Sequence, residues 1–420
     1  MNIEWKILMN NFKIPKIRFM NFNDKWKYKI LGEISNSIEY GLNASAKDFD
    51  GIHKYLRITD IDDSSRLFLT DKLSSPDVNF TEEDYENYKL RINDLLFART
   101  GASVGKTYLY RESDGEVYYA GFLIRARLHD SYDGNFIFQQ TLTDKYKQFI
   151  EITSQRSGQP GVNGKEYGDW KIGMTSYPEQ SAIGSLFRTL DGLLASYKDN
   201  LTNYQALKAT MLSKMFPKAG QTVPEIRLDG FEEEWELLEI NDLADDFQSG
   251  GTPKTNVQEY WDGDIPWIQS SDLGTNCLFE IKVQKSISEK GLENSSAKII
   301  PKDSIAVVTR VGVGKLAVMR YEYATSQDFL SLSNLKSNIE FTAYLLYRLL
   351  QKEVTQLQGT SIKGITKGEL LSKKVLIPSL PEQQAIGAYF SNLDNLINSH
   401  QEKIRKLETL KKKLLQDMFI

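Results

Sequence analysis

The sequence predicts an α+β fold built from two tandem mixed domains and two long, mutually paired helices, related by an internal pseudo-two-fold repeat. Two observations support this fold class. A seven-residue block occurs twice, as Pro178–Gly184 and Pro381–Gly387, and each copy opens a segment with heptad spacing. Each segment follows a region that mixes β-like runs such as Ser304–Thr309 with short helical stretches such as Thr342–Leu350.

The repeat extends beyond the helices into the mixed domains. Pro15–Arg18 returns as Pro224–Arg227, and Gly105-Lys106 returns as Gly314-Lys315, both at an offset of 209 residues. The offset shifts to 203 at the helix-opening blocks, which indicates small insertions between shared landmarks. The two domains therefore share a frame and differ in the loops, where binding chemistry usually lies.

Composition and breaker residues divide the chain into six segments. Pro217, Gly220, Pro224 and Gly230 mark a linker between the halves. We expect the following organisation: N-terminal segment 1–22, first mixed domain 23–177, central helix 178–216, linker 217–230, second mixed domain 231–378 and C-terminal helix 379–420.

Apolar residues at alternating spacings of four and three predict a coiled-coil seam in each long helix. Lys208 and Lys411 interrupt the two seams at the same place, which favours pairing of the two helices with each other. A helix of about 36 residues is roughly 54 Å long. The seam candidates are Phe187, Leu190, Leu194 and Leu201 in the first helix, and Phe390, Leu393, Ile397 and Ile404 in the second.

The start of each long helix carries a further pattern. Ser176 to Glu179 and Ser379 to Glu382 match the spacing of a capping box, with proline in the first turn. A second apolar row, which includes Leu193 and Leu396, accompanies each seam. This row either packs on the neighbouring domain or forms a docking strip for a partner subunit, and the sequence leaves both alternatives open.

Composition limits the class of protein. The chain has 420 residues, 40% apolar content and one cysteine, Cys277, which cannot form an internal disulfide. No stretch approaches the roughly 20 apolar residues of a membrane helix, and lysines interrupt the first 20 residues, so we expect a cytoplasmic protein. The net charge of −4 argues against a stand-alone nucleic-acid binder unless the charges are segregated. They are clustered in the sequence, with acidic residues at Glu82–Glu86 and basic ones at Lys411–Lys413.

Two patterns resemble enzyme motifs. Gly101–Thr107 is one residue short of a phosphate-binding loop, and its copy, Gly312–Leu316, lacks the hydroxyl that would hold magnesium. Asp272 followed by Glu280 resembles a nuclease metal site, but the first copy has Phe68 in place of the glutamate. A duplicated nuclease or NTPase is therefore an alternative that the copies disfavour. We predict no catalytic residues. We also predict no metal site, because the three histidines are scattered along the sequence.

The same glycine-rich turns and the polar loops before the long helices are candidates for contacts with DNA. Backbone N–H groups and cations in such turns suit phosphates, and arginine, lysine, asparagine and glutamine suit base edges. A plain β-turn or an ordinary polar loop remains the alternative at each position. The candidates are Arg99, Thr100, Lys106, Arg156, Gln159 and Lys165 in the first domain, and Arg310, Lys315, Ser361 and Lys363 in the second.

Several of these features together resemble one known family. They are the Pro-Glu-Gln block that opens each helix, the domains that begin near Trp26 and Trp235, and the arginine-to-Gly-Lys element of each half. In this duplicated order they resemble the specificity subunit of type I restriction-modification enzymes. The resemblance covers nearly the whole chain.

The resemblance implies two target recognition domains separated by two long antiparallel coiled-coil helices. Each domain would bind one half of a bipartite double-stranded DNA sequence, and the helices would set the gap and dock two methyltransferase subunits. Motor-nuclease subunits would join for cleavage. S-adenosylmethionine, ATP and Mg would then belong to the partner subunits, and this chain would hold no cofactor. A coiled-coil scaffold without DNA function is the remaining alternative.

Overall fold

Two compact units make up the computed structural model of the chain. Unit 1 comprises Met1–Lys198 and Glu402–Ile420, and unit 2 comprises Asp199–Gln401. The structure describes residues 5–7, 14–155, 158–274, 278–279, 281–356 and 364–420. The boundaries between the units fall inside the two long helices, whereas the sequence placed domain boundaries at the helix starts.

Unit 1 is built around a four-stranded antiparallel sheet with strand order β4-β11-β8-β9. The buried strand residues Leu95, Phe97 and Ile124 pack in one core with the helices of the unit. The strands of unit 1 are β1 Trp5–Ile7, β2 Ile17–Phe19, β3 Lys27–Ile30, β4 Ser35–Tyr40, β5 Ala46–Asp48, β6 Lys54–Leu56, β7 Ser74–Pro76, β8 Asp94–Ala98, β9 Thr107–Leu109, β10 Val117–Tyr119, β11 Leu123–Leu128 and β12 Lys171–Met174.

Unit 2 repeats this arrangement with a sheet of order β14-β20-β17-β18, again antiparallel throughout. A three-stranded sheet of order β16-β15-β19 lies beside it in the same unit. The strands of unit 2 are β13 Glu236–Glu239, β14 Ala244–Ser249, β15 Trp261–Ile268, β16 Lys285–Ile287, β17 Ser304–Val308, β18 Leu316–Met319, β19 Ala324–Thr325, β20 Phe329–Leu335 and β21 Lys374–Ile377. The matching strand orders confirm the internal repeat.

The α-helices are short except for three. The two long helices have 38 residues each, which corresponds to about 57 Å. They end a few residues before the predicted limits, because the chain turns into the domain cores there. The helices are α1 Gly134–Gln140, α2 Asp144–Thr153, α3 Gly164–Gly168, α4 Tyr177–Lys214, α5 Glu289–Glu293, α6 Ile339–Gln356, α7 Lys367–Leu371 and α8 Leu380–Asp417.

Helices α4 and α8 pair antiparallel within each unit. In unit 1, Asp191 forms an ion pair with Lys411 at 2.6 Å, and Lys198, further along α4, pairs with Glu408 at 2.8 Å. Partner numbers fall along α8 as they rise along α4, which is the mark of an antiparallel pair. The predicted pairing of the two helices is therefore confirmed.

Seven of the eight seam candidates are buried, and the seam lysines form ion pairs with aspartates across the helix pair. Only Leu201 among the eight seam candidates is half-buried rather than buried. In unit 2, Lys208 forms a buried ion pair with Asp394, which also accepts a hydrogen bond from the Tyr344 hydroxyl at 2.7 Å. Lys411 and Asp191 repeat this pair in unit 1. A buried lysine without a partner would destabilise the helix pair, so the two aspartates favour the register of α4 against α8 in which each lysine meets its aspartate.

The Met-Phe sequence at the end of each long helix completes a domain core. Phe419, after α8, packs against Trp26 and Phe136 of unit 1, with ring centroids 6.3 and 5.5 Å away. Phe216, after α4, packs against Trp235 and its neighbours in unit 2. Each core therefore contains the end of the helix that begins in the other repeat.

The glutamate of each Pro-Glu-Gln block forms a bidentate ion pair with the arginine of the repeated Pro-x-Ile-Arg segment. Arg18 donates from Nε and Nη2 to the two carboxylate oxygens of Glu179 at 2.6 and 2.7 Å, and both residues are buried. Arg227 bonds Glu382 in the same way at 2.8 and 2.7 Å. The expected capping boxes thus give way to an ion pair, which binds the start of each long helix to its domain.

The glutamine and glycine of the same block hold a second helix. In unit 1, Gln180 Oε1 accepts from the Asp133 backbone N–H at 3.1 Å, just before α1. Gly184 lies so close to Asp133 that a Cβ would come within 2.4 Å of its carboxylate. Gln383 makes the corresponding bond to Asn338 N at 2.9 Å, before α6. Close helix approach therefore explains why the block repeats.

We expect removal of one partner of this ion pair to destabilise the protein strongly. Arg18→Met leaves the Glu179 carboxylate buried without its cation, which costs about 3–5 kcal/mol. Urea unfolding of the full chain measures the loss. Lys147→Met is the control, because its pair with Asp144 is exposed on both sides and contributes about 0.5 kcal/mol or less. Equal effects of the two substitutions would refute the structural role.

Candidate nucleic-acid interface

An aromatic hydrogen-bond donor fixes the loop that leaves the first strand of each central sheet. In unit 1 the Tyr55 hydroxyl donates to Leu42 O at 2.8 Å, directly after β4. In unit 2 the Trp267 indole N–H donates to Gly251 O at 3.0 Å, after β14. The repeated aromatic residues therefore position the loops from inside the domain.

The two lysines of the Gly-Lys element also serve as internal donors. Lys106 Nζ donates to Ile61 O at 3.0 Å and pairs with Asp63 at 2.5 Å, and the side chain is buried. Lys315 Nζ donates to Ser270 O at 3.2 Å and Leu273 O at 2.9 Å. The element is not arranged as a phosphate-binding loop, an alternative that the sequence already disfavoured. One expectation changes, because the burial and bonds of Lys106 argue against its direct contact with DNA.

Asp272, which suggested a nuclease site, and its counterpart Asp60 in unit 1 cap short turns instead. Asp60 Oδ2 accepts from Arg57 N at 2.9 Å, and Asp272 Oδ2 accepts from Gln269 N at 3.1 Å. The hydrogen bond from Arg57 to Asp60 also raises the pKa of that arginine. Each aspartate holds a short 3-10 turn after the strand that carries the aromatic donor. Their shared role is structural.

Backbone hydrogen bonds change the correspondence between the two candidate arginines. Arg99 N donates to Phe122 O at 3.1 Å, and Arg99 O accepts from Val162 N at 2.9 Å. In unit 2 the same two bonds belong to Thr309, which donates to Asp328 O at 2.7 Å and accepts from Ile365 N at 2.7 Å. Arg99 therefore corresponds to Thr309, and Arg310 corresponds to Thr100. The sequence does not reveal this exchange, because the turn of unit 2 is one residue shorter.

Arg99 directly follows β8, and its guanidinium lies over two aromatic rings. Its guanidinium carbon is 5.1 Å from the ring centroid of Tyr40 and 5.7 Å from that of Phe122. The rings are partly exposed, with relative accessibilities of 44% and 61%. Sequence analysis missed both aromatic residues. Only the sheet register, which places the end of β4 beside the start of β11, brings them together.

Three further candidates lie around Arg99. Thr100 forms a β-bridge with Gly161, and Gly101 N donates to Pro160 O at 3.0 Å, which joins the turn after β8 to the loop before α3. The exposed Gln159 amide lies beside Gly101. The Gly164 N–H donates to the Tyr40 hydroxyl at 3.0 Å at the start of α3. The next residue, Lys165, is exposed and therefore lies close to Tyr40. Arg99, Thr100, Gln159 and Lys165 thus share one connected surface, which we name the Arg99 surface.

The corresponding surface of unit 2 carries different residues. Arg310 is exposed at the end of β17, next to Val311, which has a relative accessibility of 72%. Lys367 at the start of α7 donates to Phe247 O at 3.2 Å, a position that sequence analysis missed. The candidates Arg156, Ser361 and Lys363 lie outside the described residues.

Charge pairing separates these candidates from the arginines that maintain the fold. Arg125 pairs with Glu39, and Arg127 donates to both oxygens of Asp94 at 2.8 Å. By contrast, the described residues supply no ion pair to Arg99, Lys165 or Arg310. Positive charge that the protein does not neutralise is available to an anionic ligand.

Neither a metal centre nor a membrane helix was found in the described part of the chain. No group of three or more histidine, cysteine, aspartate or glutamate residues there could hold a metal ion. No described helix is long and apolar enough to cross a membrane.

Comparisons with known proteins agree with the fold. A family model described as the type I restriction modification DNA specificity domain matches residues 232–409. The putative type I restriction enzyme MjaX specificity subunit of Methanocaldococcus jannaschii is 22% identical, over 96% of this chain and 95% of that protein. The MjaIX specificity subunit of the same organism is 28% identical over 191 residues, which are 44% of each protein.

A solved structure shows the same fold. The S subunit of a type I restriction-modification system from M. genitalium, 15% identical, superposes with a TM-score of 0.65 over 97% of this chain and 99% of that chain. Both the duplicated domains and the long helices are therefore covered by the likeness. By sequence and by fold, the chain is similar to type I restriction-modification specificity subunits, and residues 232–409 match the model of their DNA specificity domain.

Proposed function

We propose that this chain is the DNA-recognition component of a type I restriction-modification complex. Each unit binds one half of a bipartite target in double-stranded DNA, and helices α4 and α8 set the gap between the halves. The single observation that carries the proposal is the duplicated frame. The same internal bonds position the loops in both units, while the exposed side chains on those loops differ.

The chain itself is non-catalytic in this proposal. Two methyltransferase subunits dock on it and supply adenine methylation with S-adenosylmethionine, and restriction subunits supply ATP- and Mg-dependent cleavage in the cytoplasm. The exposed leucines of the helix pair, Leu193 and Leu410 in unit 1 and Leu207 and Leu396 in unit 2, suit such docking because they are apolar and 37–44% accessible.

Methylation mapping tests the proposal directly. DNA from cells that carry this chain with its methyltransferase subunit should show methylated adenines in one bipartite sequence with a fixed gap. Methylation without any sequence preference would refute DNA recognition. Hydrolysis of ATP or DNA by the purified chain would refute the non-catalytic assignment.

We expect helix length to determine the gap. Insertion of seven residues into both α4, after Asp199, and α8, after Gln401, keeps the heptad phase and adds about 10.5 Å, the length of about three base pairs. Both half-sites should stay the same, while the gap between them in the methylated sequence should grow by about three base pairs. The control is a seven-residue insertion after Gly220, which lies in the exposed linker and leaves the helices unchanged. An unchanged gap after the helix insertions would contradict the proposal.

Salt dependence should distinguish a contact residue from a positioning residue. Lys165→Ala removes an exposed cation of the Arg99 surface, so the magnitude of the slope of log K against log salt for DNA binding should decrease by about 1. Lys106→Met removes an internal bond, so the slope should stay the same while the free energy of unfolding falls. Both are measured on the complex with methyltransferase. A slope that falls equally in both variants would show that Lys106 contacts phosphate.

A further inference from the structure

We propose that Arg99 recognises a guanine in the half-site bound by unit 1, and that Tyr40 and Phe122 are positioning residues that hold its guanidinium for this contact. The inference rests on the proposed function and deepens it, because it assigns one base to one side chain. Four observations support it.

The first observation is that the fold does not require an arginine at this position. The backbone bonds of Arg99, to Phe122 O and from Val162 N, are made equally by Thr309 in unit 2. Because the two copies keep the bonds and change the side chain, the arginine serves something other than the shared frame. Two units that bind different half-sites must differ at positions of this kind.

The second observation is the set of groups around the guanidinium. Tyr40 and Phe122 lie 5.1 and 5.7 Å from its carbon, and the Tyr40 hydroxyl is itself fixed by the Gly164 N–H. Nε is buried without a hydrogen-bond partner among the described residues, so the terminal nitrogens are the donors left for a ligand. A planar group held in this way loses less conformational freedom when it binds.

The third observation is the apolar exposure beside the cation. Phe122, directly before β11, is 61% accessible, and Tyr40 is 44% accessible. Exposed aromatic surface is poorly matched to a hydrated phosphate but well matched to base edges and the thymine methyl group. Paired donors from arginine fit the O6 and N7 acceptors of guanine, which is the commonest specific contact in the major groove.

The fourth observation is the lack of a competing carboxylate. Within the described residues Arg99 has no ion pair, whereas the fully buried Arg125 pairs with Glu39 and donates to Asn87 O at 2.6 Å. A neutralised arginine would have to break its pair before binding a base. Arg99 is free of this cost.

The test uses the complex of the full chain with its methyltransferase subunits and a DNA library randomised over the target. Arg99→Lys keeps the charge but loses the planar pair of donors. We expect the preference for guanine to fall by about 5- to 150-fold at one position of one half-site, with the other half-site unchanged. Phe122→Ala, which keeps the arginine and removes one ring, should reduce the same preference by a smaller factor.

Arg310→Lys is the matched control, because Arg310 lies in the corresponding turn of unit 2. It should leave the preference at the Arg99 position unchanged. Two results would overturn the inference: an Arg99→Lys complex with an unaltered preference at every position, or one whose affinity falls evenly for all sequences, as a phosphate contact predicts. Failure of the proposed function is distinguishable, since the unsubstituted complex would then show no sequence preference.

Discussion

The buried ion pair between Arg18 and Glu179, repeated as Arg227 and Glu382, is the interaction on which the rest of the structure depends. It joins three parts of each unit: the repeated Pro-x-Ile-Arg segment, the start of a long helix and, through the adjacent glutamine, the start of α1 in unit 1 or of α6 in unit 2. A buried pair of charges is weak as a source of stability, but breaking it leaves an uncompensated charge. Its geometry therefore specifies where each long helix begins relative to its own domain.

Periodicity and repetition in the sequence were sufficient to predict much of the fold. Apolar spacing identified the helices, the seam and the place of Lys208, because helix pairing depends on local pattern. The sequence could not show that Asp394 neutralises this lysine, that Lys106 points inward, or that Arg99 corresponds to Thr309. These features depend on strand register and on contacts between distant segments. Tyr40 and Phe122 were missed for the same reason, since they meet only across paired strands.

The repeated residues and the variable residues have different tasks. Tyr55, Trp267 and the Gly-Lys lysines donate to backbone carbonyl groups, so they hold the loops without depending on the loop side chains. The loop side chains can then change without the loss of these bonds. In the proposed function, this separation is what allows one domain design to bind different sequences in the two halves of the same chain.

The packing of Phe419 against Trp26 has a consequence for folding during synthesis. Unit 2 is continuous in sequence, whereas unit 1 joins its first 198 residues to residues 402–420. Contacts that close a very long loop form late, because the loop-closure entropy must be overcome first. We therefore expect unit 2 to complete its core before unit 1, although unit 1 is synthesised first. Until residues 402–420 emerge from the ribosome, the apolar surface around Trp26 stays open, and a nascent chain at that stage is the form most exposed to aggregation and to chaperones.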